Sequence, residues 1–476
     1  MVRMRSKCTT MTASSSASPF RRVAFGSRTS TLSRPRYHGH RHHHEQHQQH
    51  PLQTLEVRCG AKGGSSKEYR QQGAEVFDAV GLGQAMVDYA GYVSDDFLND
   101  VLAELNAASS SDRHDNHRHK KGDRIVVTPE DLGKVLNKLN SENFKVTTGG
   151  SLSNTLVALS RLGNSRNGGD DDGAGELKVG MAGLVGSDPI GSFYRAKMDK
   201  AGVSFLSQPT HQTTGTVVVL TTPDAQRTML SHFPEPPEPS SSSSSSSSVL
   251  TPSVVNSIVS SRVMLVEGYL LECGERVIGS MMEAMRLASE NGTLVCMTLS
   301  DTSVVSRHSD KLWRALRKEG LVDIVFANAQ EAMALTGEAE PRGAALNLAQ
   351  HTKVVSVVTD GHHGSHLAGM GASQLVPAYW MPKGPLDTCG AGDAYAAGAI
   401  YGLLSGASIR GMGYSGARVS STVISQTGAR LKREDADKLV EVLPMMMFES
   451  TRLVIPGEAS ENEKRVRVNS SPKGGK

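Results

Sequence analysis

The sequence contains little cysteine and no long apolar run, and each absence excludes a class of protein. Its five cysteines among 476 residues form no CxxC pair and no disulfide framework, so we expect a reducing compartment. No uninterrupted apolar run approaches the ~20 residues of a membrane helix, so we do not expect a membrane protein. The formal net charge of +3 is concentrated at the N-terminus, and the body lacks the basic stripe of nucleic-acid-binding proteins.

Acidic residues are absent from the start of the chain. Residues 1–44 contain nine Lys or Arg, no Asp or Glu, and many Ser and Thr. Such a basic, hydroxyl-rich leader is typical of an organelle transit peptide, and it lacks the apolar centre of a secretory signal. The string VRCG, Val57–Gly60, resembles a plastid processing site, which favours the chloroplast, with the mitochondrion second and the cytoplasm third. The alternative is an uncleaved disordered tail.

Polar low-complexity stretches separate a folded body from its surroundings. They carry too few apolar side chains to offset the entropy of ordering them, and the His/Gln tract at 38–50 is of the same kind. We predict a transit peptide at 1–59, a linker at 60–73, one folded domain at 74–449 and a C-terminal tail at 450–476. Within the domain we predict disordered insertions near 107–124, 164–176 and 236–250.

Strand-like and helix-like patterns alternate along the folded domain. Short apolar runs typical of buried strands occur at 76–83, 177–186, 215–222, 263–271, 292–300, 322–328 and 353–361. Helical patterns lie between many of them, and this alternation predicts an α/β protein with a parallel sheet covered on both faces. The segments GVSFLSQ and GTVVVLTTPDAQRTMLSH instead suggest antiparallel strands that project from the main layer, with a turn at Pro223 and Asp224.

The stretch DTCGAGDAYAAGAIYGLL, residues 387–404, places small residues between two carboxylates where a helix begins. A helix N-terminus offers free N–H groups and a partial positive charge, so it binds anions. The small residues Gly390, Ala391 and Gly392 let a phosphate approach, and Asp393 can accept a proton from an attacking hydroxyl. The pattern predicts phosphoryl transfer, although alone it also fits a tightly packed helix cap.

Two motifs in this order resemble those of the PfkB, or ribokinase-like, family of carbohydrate and nucleoside kinases. DTCGAGD matches the family's C-terminal signature DTxGAGD, and GGSLSNTLVALSRLG at Gly149–Gly163 matches its N-terminal Gly-Gly signature. The resemblance covers the whole folded domain. It implies a ribokinase-like three-layer α/β/α sandwich with a mostly parallel central sheet. It also implies a small β lid over the substrate, from segments near 88–128 and 203–232.

The resemblance further implies roles for individual residues. Asp393 is the catalytic base with Gly390, Ala391 and Gly392 as its anion hole; Asp88, Gly149, Gly150 and Asn154 bind the acceptor; Asn328, Thr359, Gly361 and Gly364 border ATP; and Glu331 orders water around Mg²⁺. The segment GARVSSTVISQTGAR, residues 416–430, resembles the part that closes over adenine and can hold a monovalent cation. A homodimer formed through the lid is a further expectation.

Three strings bear on the acceptor and leave it open. DDFLND at 95–100, VEGYLL at 266–271 and LSDTSVVSRH at 299–308 resemble an adenosine-kinase-like subgroup of sugar kinases. Thr302 and Ser303 replace the Pro-Phe of the usual pattern, so an adenosine-like nucleoside, ribose and fructose all stay possible. The alternative function is a catalytically idle scaffold or regulatory subunit in a plastid. A nicotinamide-dependent dehydrogenase is excluded because GLGQAM, residues 81–86, is not GxGxxG.

Overall fold

A computed structural model describes residues 75–109, 118–139, 144–165, 176–224, 226–233, 249–369 and 372–448. The predicted transit peptide, linker and C-terminal tail lie outside these ranges, as do the His/Gln tract and parts of the three predicted insertions. Within the described ranges, no helix is long and apolar enough to cross a membrane.

The described residues form strands and helices that alternate along much of the chain. The strands are β1 (Ala79–Leu82), β2 (Met86–Tyr92), β3 (Arg124–Val126), β4 (Phe144–Gly149), β5 (Val179–Ala182), β6 (Val203–Phe205), β7 (Gly215–Thr221), β8 (Arg227–His232), β9 (Val263–Glu267), β10 (Leu294–Thr298), β11 (Ile324–Asn328), β12 (Val355–Thr359), β13 (Ser365–Gly369) and β14 (Ala372–Val376). The α-helices are α1 (Asp95–Ser109), α2 (Pro129–Lys138), α3 (Ser151–Gly163), α4 (Pro189–Lys200), α5 (Pro252–Ser260), α6 (Glu275–Glu290), α7 (Thr302–Trp313), α8 (Ala329–Thr336), α9 (Pro341–Ala349), α10 (Ala391–Leu404), α11 (Ile409–Ile424) and α12 (Arg433–Phe448).

Nine of these strands form the main sheet. Their order is β14-β13-β12-β11-β10-β9-β1-β5-β6. The strands from β12 to β6 in this order pair in parallel, and the β13–β14 hairpin adds two antiparallel strands at one edge. The prediction of a mostly parallel sheet is therefore confirmed.

Successive residues of β9 enter two different cores. Val263 and Leu265 pack with α3, α4, α10, α11 and α12, whereas Met264 and Val266 pack with α5 to α9. Side chains alternate between the two faces of a strand, so a strand covered on both faces needs apolar residues at every position. This explains the continuous apolar runs in the sequence, and it confirms the three-layer α/β/α architecture.

A second sheet of five strands forms the lid. Its order is β3-β8-β7-β2-β4, and β7 and β8 form the antiparallel pair with a turn around Pro223 and Asp224. The helices α1 and α2 cover one face of it, with Leu98, Val101 and Leu132 packed against Val218 and Leu230. The opposite face therefore carries the alternate residues of the strands, among them Asp88 of β2.

Our prediction that the segment GVSFLSQ belongs to the lid is wrong. Val203–Phe205 forms β6, which pairs in parallel with β5 at the edge of the main sheet. The helix α4 connects these two strands, so the three elements form a βαβ unit. The lid contribution of the predicted segment 203–232 begins at Gly215.

Asp188 anchors the root of the lid to the main domain. Its Oδ1 accepts the N–H of Gly191 at 2.7 Å and the hydroxyl of Thr214 at 2.6 Å, while its Oδ2 accepts the N–H of Thr214 at 2.8 Å. Thr214 immediately precedes β7 of the lid, and Gly191 lies in the first turn of α4. One carboxylate thus caps a helix of the main domain and fixes the point at which the lid departs.

Asp188→Ala should lower the free energy of unfolding by about 2 kcal/mol, because it removes a helix cap and leaves polar groups of Thr214 without their acceptor. Urea denaturation of the two proteins measures the difference. Asp199→Ala is the matched control, since Asp199 is an exposed residue of the same helix. Equal losses for the two variants would contradict the anchoring role.

Candidate active site

The carboxyl ends of the parallel strands define one edge of the main sheet. In open α/β sheets, ligands bind beyond this edge. Glu267, Asn328 and Thr359 are the last residues of β9, β11 and β12. The helix α10 begins near them: Asp393 in its first turn bonds to residues at the start of α3, and the start of α3 bonds to Glu267. Most of the predicted site residues therefore lie at this edge.

The turn before α10 needs glycine at position 390 for a backbone reason. Gly390 has φ of 77°, a left-handed conformation that favours glycine. A Cβ at this position would lie 2.6 Å from the Cβ and 2.7 Å from the carbonyl oxygen of Ala429. Gly390 therefore gives the turn its shape, which is a different reason from the phosphate access that we predicted for it.

Gly392 leaves open space at the start of the same helix. A Cβ built at Gly392 would have no heavy atom within 4 Å, and no side chain caps the helix. The first N–H groups of a helix have no intrahelical partner. At this position, with Ala391 between the two glycines, an anion can therefore approach the bare backbone.

Asp387 holds this turn against two other parts of the protein. Its carboxylate accepts the N–H of Cys389 and of Gly428, each at 3.0 Å, and it pairs with the guanidinium of Arg227 at 3.1 Å. Burial alone would raise the pKa of Asp387, but these three donors lower it. Arg227 is the first residue of lid strand β8, so this ion pair also joins the lid to the turn.

Asp393 is held by two residues at the start of α3. The hydroxyl of Ser151 donates to Oδ1 at 2.5 Å, and the side-chain amide of Asn154 donates to Oδ2 at 3.0 Å. Burial raises the pKa of the carboxyl group, and the two hydrogen bonds partly oppose this. The arrangement gives a carboxylate of raised basicity beside the open helix N-terminus. Sequence reasoning did not identify Ser151.

Asp88 lies against the Gly-Gly pair that precedes α3. A Cβ at Gly149 would lie 2.1 Å from Oδ1 of Asp88, and Gly150 has φ of 89°. Glycine at 149 therefore makes room for a carboxylate. Burial raises the pKa of Asp88 to about 6, against the lowering influence of Arg430 and Arg124.

Glu267 is a further buried carboxylate that sequence reasoning missed. It is 2% exposed, and its two oxygens accept the N–H of Gln84 at 3.1 Å and the N–H of Leu152 at 3.0 Å. It therefore fixes the start of α3 to the loop after β1. Burial raises its pKa to about 7, although these two N–H groups act in the opposite direction. The signal was a lone Glu at the end of an apolar run, in VEGYLL.

Asn328 and Glu331 form a capping box at the start of α8. The side chain of Asn328 accepts the N–H of Glu331 at 2.8 Å, and the Glu331 carboxylate accepts the backbone N–H of Asn328 at 3.0 Å and its side-chain N–H at 2.6 Å. Burial, together with the negative charges of Asp301 and Asp393, raises the pKa of Glu331 to about 7, although the backbone N–H of Asn328 acts in the opposite direction. Asn328 and Glu331 therefore cap α8, and the Glu331 carboxylate lies near the carboxylates of Asp301 and Asp393.

These acids fit a magnesium ion that is bound largely by water and phosphate. No group of three or more His, Cys, Asp or Glu side chains that could enclose a metal occurs in the part of the chain that the structure describes. Both oxygens of Glu331 already accept hydrogen bonds. Mg²⁺ keeps several waters and uses only one or two carboxylates beside substrate phosphates, and a cation would relieve the repulsion that raises the pKa of Glu331.

The remaining predicted ATP residues lie at the end of β12 and in the turn that follows. Thr359 pairs in register with Asn328 of the neighbouring strand. Gly361 and Gly364 both have positive φ, and they bracket a single 3-10 turn. The structure thus places Asn328, Thr359 and this turn next to one another along the edge.

A second lid arginine contacts the main domain. The guanidinium of Arg124 in β3 lies over the ring of Tyr269, 3.9 Å from its centroid. Tyr269 in turn donates its hydroxyl to the carbonyl of Ser300 at 3.1 Å, and Ser300 is a non-glycine residue with φ of 75°. Arg124 and Arg227 therefore bring positive charge from the lid to the edge of the sheet, which sequence reasoning did not predict.

Comparisons with known proteins agree on one family. The profile of the pfkB family carbohydrate kinases matches residues 122–436. The ribokinase of Haemophilus influenzae is 23% identical over 289 residues, which cover 59% of this chain and 82% of that protein. The adenosine kinase from Sinorhizobium meliloti superposes with a TM-score of 0.61 and 26% identity, over 77% of this chain and 99% of that one. A probable sugar kinase from Rhizobium etli has the same TM-score and 24% identity, over 78% and 99%.

The two glycines of the turn should respond differently to alanine. Gly390→Ala should lower the free energy of unfolding by about 2 kcal/mol, because of its positive φ and the contact with Ala429. Gly392→Ala should leave stability unchanged or slightly raised, because the added methyl group meets open space and alanine favours the helix. Thermal or urea unfolding of the two variants tests this. A loss for Gly392→Ala as large as that for Gly390→Ala would contradict the geometry of the turn.

Proposed function

Because the chain belongs to the pfkB family of carbohydrate kinases, we propose that it transfers the γ-phosphoryl group of ATP to a primary hydroxyl of a nucleoside or a sugar. One observation carries this proposal. The carboxylate of Asp393 lies at the open N-terminus of α10, where Ser151 and Asn154 hold it. A base beside an anion-binding helix end is what phosphoryl transfer to an alcohol requires.

Asp393 is the proposed general base. As the acceptor oxygen bonds to the γ-phosphorus, its proton passes to a free lone pair of Asp393, the bond from phosphorus to the β–γ bridging oxygen breaks, and ADP leaves. Each carboxylate oxygen has two acceptor sites, so the bonds from Ser151 and Asn154 leave room for this proton. Because burial raises the pKa of Asp393, the group is a stronger base than an exposed aspartate.

The N-terminus of α10 is the proposed anion hole. Its free N–H groups and its partial positive charge stabilise the oxygens of the transferring group. Arg227 of the lid pairs with Asp387 at the turn, and its remaining N–H donors are proposed to bind a phosphate oxygen. Mg²⁺, when bound near Glu331 and Asp301, would neutralise charge on the phosphates. The predicted monovalent cation near residues 416–430 stays a proposal.

The acceptor pocket is proposed to lie beside the Asp88 carboxylate, at the point where it lies against the Gly-Gly pair at 149–150. A carboxylate accepts two hydroxyl donors, which suits the diol of a ribose or a hexose. The similar proteins include a ribokinase and an adenosine kinase, which supports a nucleoside or a sugar without choosing between them. Purified full-length protein should be assayed for ADP formation from ATP with adenosine, D-ribose and D-fructose in turn.

Asp393→Asn should reduce turnover with the best of these acceptors by roughly 10²–10⁴, while ATP binding and the unfolding midpoint stay near those of the wild type. The change removes the proton acceptor but keeps the size of the side chain. Asp310→Asn, at an exposed position on α7, is the control and should be silent.

Two results would count against this function. Near-normal turnover by Asp393→Asn would refute the base. Absence of ADP formation by the wild type with every acceptor would instead favour a catalytically idle scaffold or regulatory subunit. Gly392→Ala adds an independent check: turnover should fall although the protein stays folded, because the methyl group occupies the proposed phosphate position.

We also propose that the lid mediates a homodimer. The edge strands β3 and β4 of the lid sheet are the positions at which a second subunit could pair.

We further propose that residues 1–59 are a chloroplast transit peptide. Fusion of residues 1–73 to a fluorescent protein should direct it to chloroplasts in plant cells. Replacement of the Lys and Arg residues within 1–44 by Gln should leave the fusion in the cytosol. Mitochondrial targeting, or cytosolic location of the unaltered fusion, would contradict the proposal.

A further inference from the structure

The side chain of Arg430 connects the predicted acceptor residues with the predicted base. Its Nε donates to Oδ1 of Asn154 at 3.2 Å, and its Nη2 donates to Oγ of Ser153 at 3.0 Å. The other end of the same Asn154 amide, Nδ2, donates to Asp393 at 3.0 Å. A single amide therefore bridges the guanidinium and the carboxylate.

The chemistry of the two partners allows only one orientation of that amide. A guanidinium has only donors, and an ionised carboxylate has only acceptors. The amide must therefore present its oxygen to Arg430 and its N–H₂ group to Asp393. With Arg430 removed, the amide oxygen would lose the donor that holds it, so the amide could turn away and its hydrogen bond from Nδ2 to Asp393 would weaken.

We propose that Arg430 is a positioning residue, which fixes the side-chain amide of Asn154 so that it donates to Asp393. The proposal rests on the phosphoryl transfer inferred above and extends it to a residue far along the chain. Arg430 lies in the loop between α11 and α12, at the end of the segment GARVSSTVISQTGAR. It thereby couples that loop to the catalytic carboxylate.

The electrostatic surroundings agree with a role in the site rather than with an ordinary ion pair. Among the described residues, no carboxylate lies within ion-pair distance of Arg430, and a partly buried guanidinium without such a partner is costly. Asp88, Tyr194 and Arg161 are the charged or titratable groups that act on it. The titratable groups that interact with Asp393 are Glu267, Glu331, Tyr269 and Cys389.

The test compares Arg430→Met, which has no donor, with Arg430→Lys, which keeps a charged donor. Turnover of the wild type should fall at low pH, because Asp393 must be ionised to act. In Arg430→Met this acidic limb should move up by about one pH unit, the equivalent of one hydrogen bond to a charged group. Arg430→Lys should restore part of the shift. Arg433→Met is the control, because Arg433 contacts the carbonyl of Asn164 and the carboxylate of Asp437 instead.

A double-mutant cycle tests whether Arg430 acts through Asn154. Asn154→Ala should shift the acidic limb by itself, and adding Arg430→Met should then change it little. Additive shifts would overturn the proposal. So would a raised KM for the acceptor with an unchanged pH profile, because that result would make Arg430 an acceptor-binding residue.

A readout that needs no acceptor separates failure of this inference from failure of the proposed function. The titration of Asp393 can be followed by NMR of full-length protein labelled with ¹³C at the aspartate carboxyl carbon, with Asp393→Asn assigning the signal. The pKa of Asp393 should be higher in Arg430→Met than in the wild type and in Arg433→Met. An unchanged pKa would overturn the positioning role, whereas inactivity of the wild type with every acceptor would reject the kinase function alone.

Discussion

The burial of one carboxylate at an open helix end is the constraint on which the rest of the site depends. Asp393 is only partly exposed, and two donors from α3 stabilise its ionised form. Those donors are themselves held, because Glu267 binds the N–H of Leu152 beside them. The last residue of a central strand thus sets the position of α3, and α3 sets the position of Asp393, the proposed base.

The same arrangement concentrates negative charge that the protein alone does not balance. The charge of Asp393 raises the pKa of both Glu267 and Glu331, and burial raises the pKa of all three groups. This repulsion is unfavourable, and positive charge placed near the three groups would relieve it. The lid supplies Arg227 and Arg124 at this edge. Arg124 thereby offsets part of the negative charge, since it lowers the pKa of Glu267.

The fold and the position of the turn before α10 could be predicted from the sequence, because their signals are local; the catalytic role of the turn stays a prediction. The apolar runs, such as the one that contains Val263–Glu267, follow from burial on both faces, and DTCGAGD states its chemistry within seven residues. Ser151, Glu267 and Arg430 have no such signal, since each matters only through partners far away in sequence. GVSFLSQ was placed in the wrong sheet because a three-residue edge strand looks the same in either one.

The acceptor is hard to predict because its proposed binding residues come from separate segments, whereas the motif that indicates the reaction class lies in one short stretch. Asp88 comes from strand β2 of the lid, and the Gly-Gly pair from the end of β4. The stretch at Ser300, where the backbone takes a left-handed turn, contacts the lid through Tyr269 and Arg124. A change at Asp88 or at the Ser300 stretch would alter the proposed acceptor pocket without a change in the sequence of α10. Selection can therefore change the acceptor while the phosphoryl-transfer machinery stays as it is, which is why a ribokinase and an adenosine kinase can both resemble this chain.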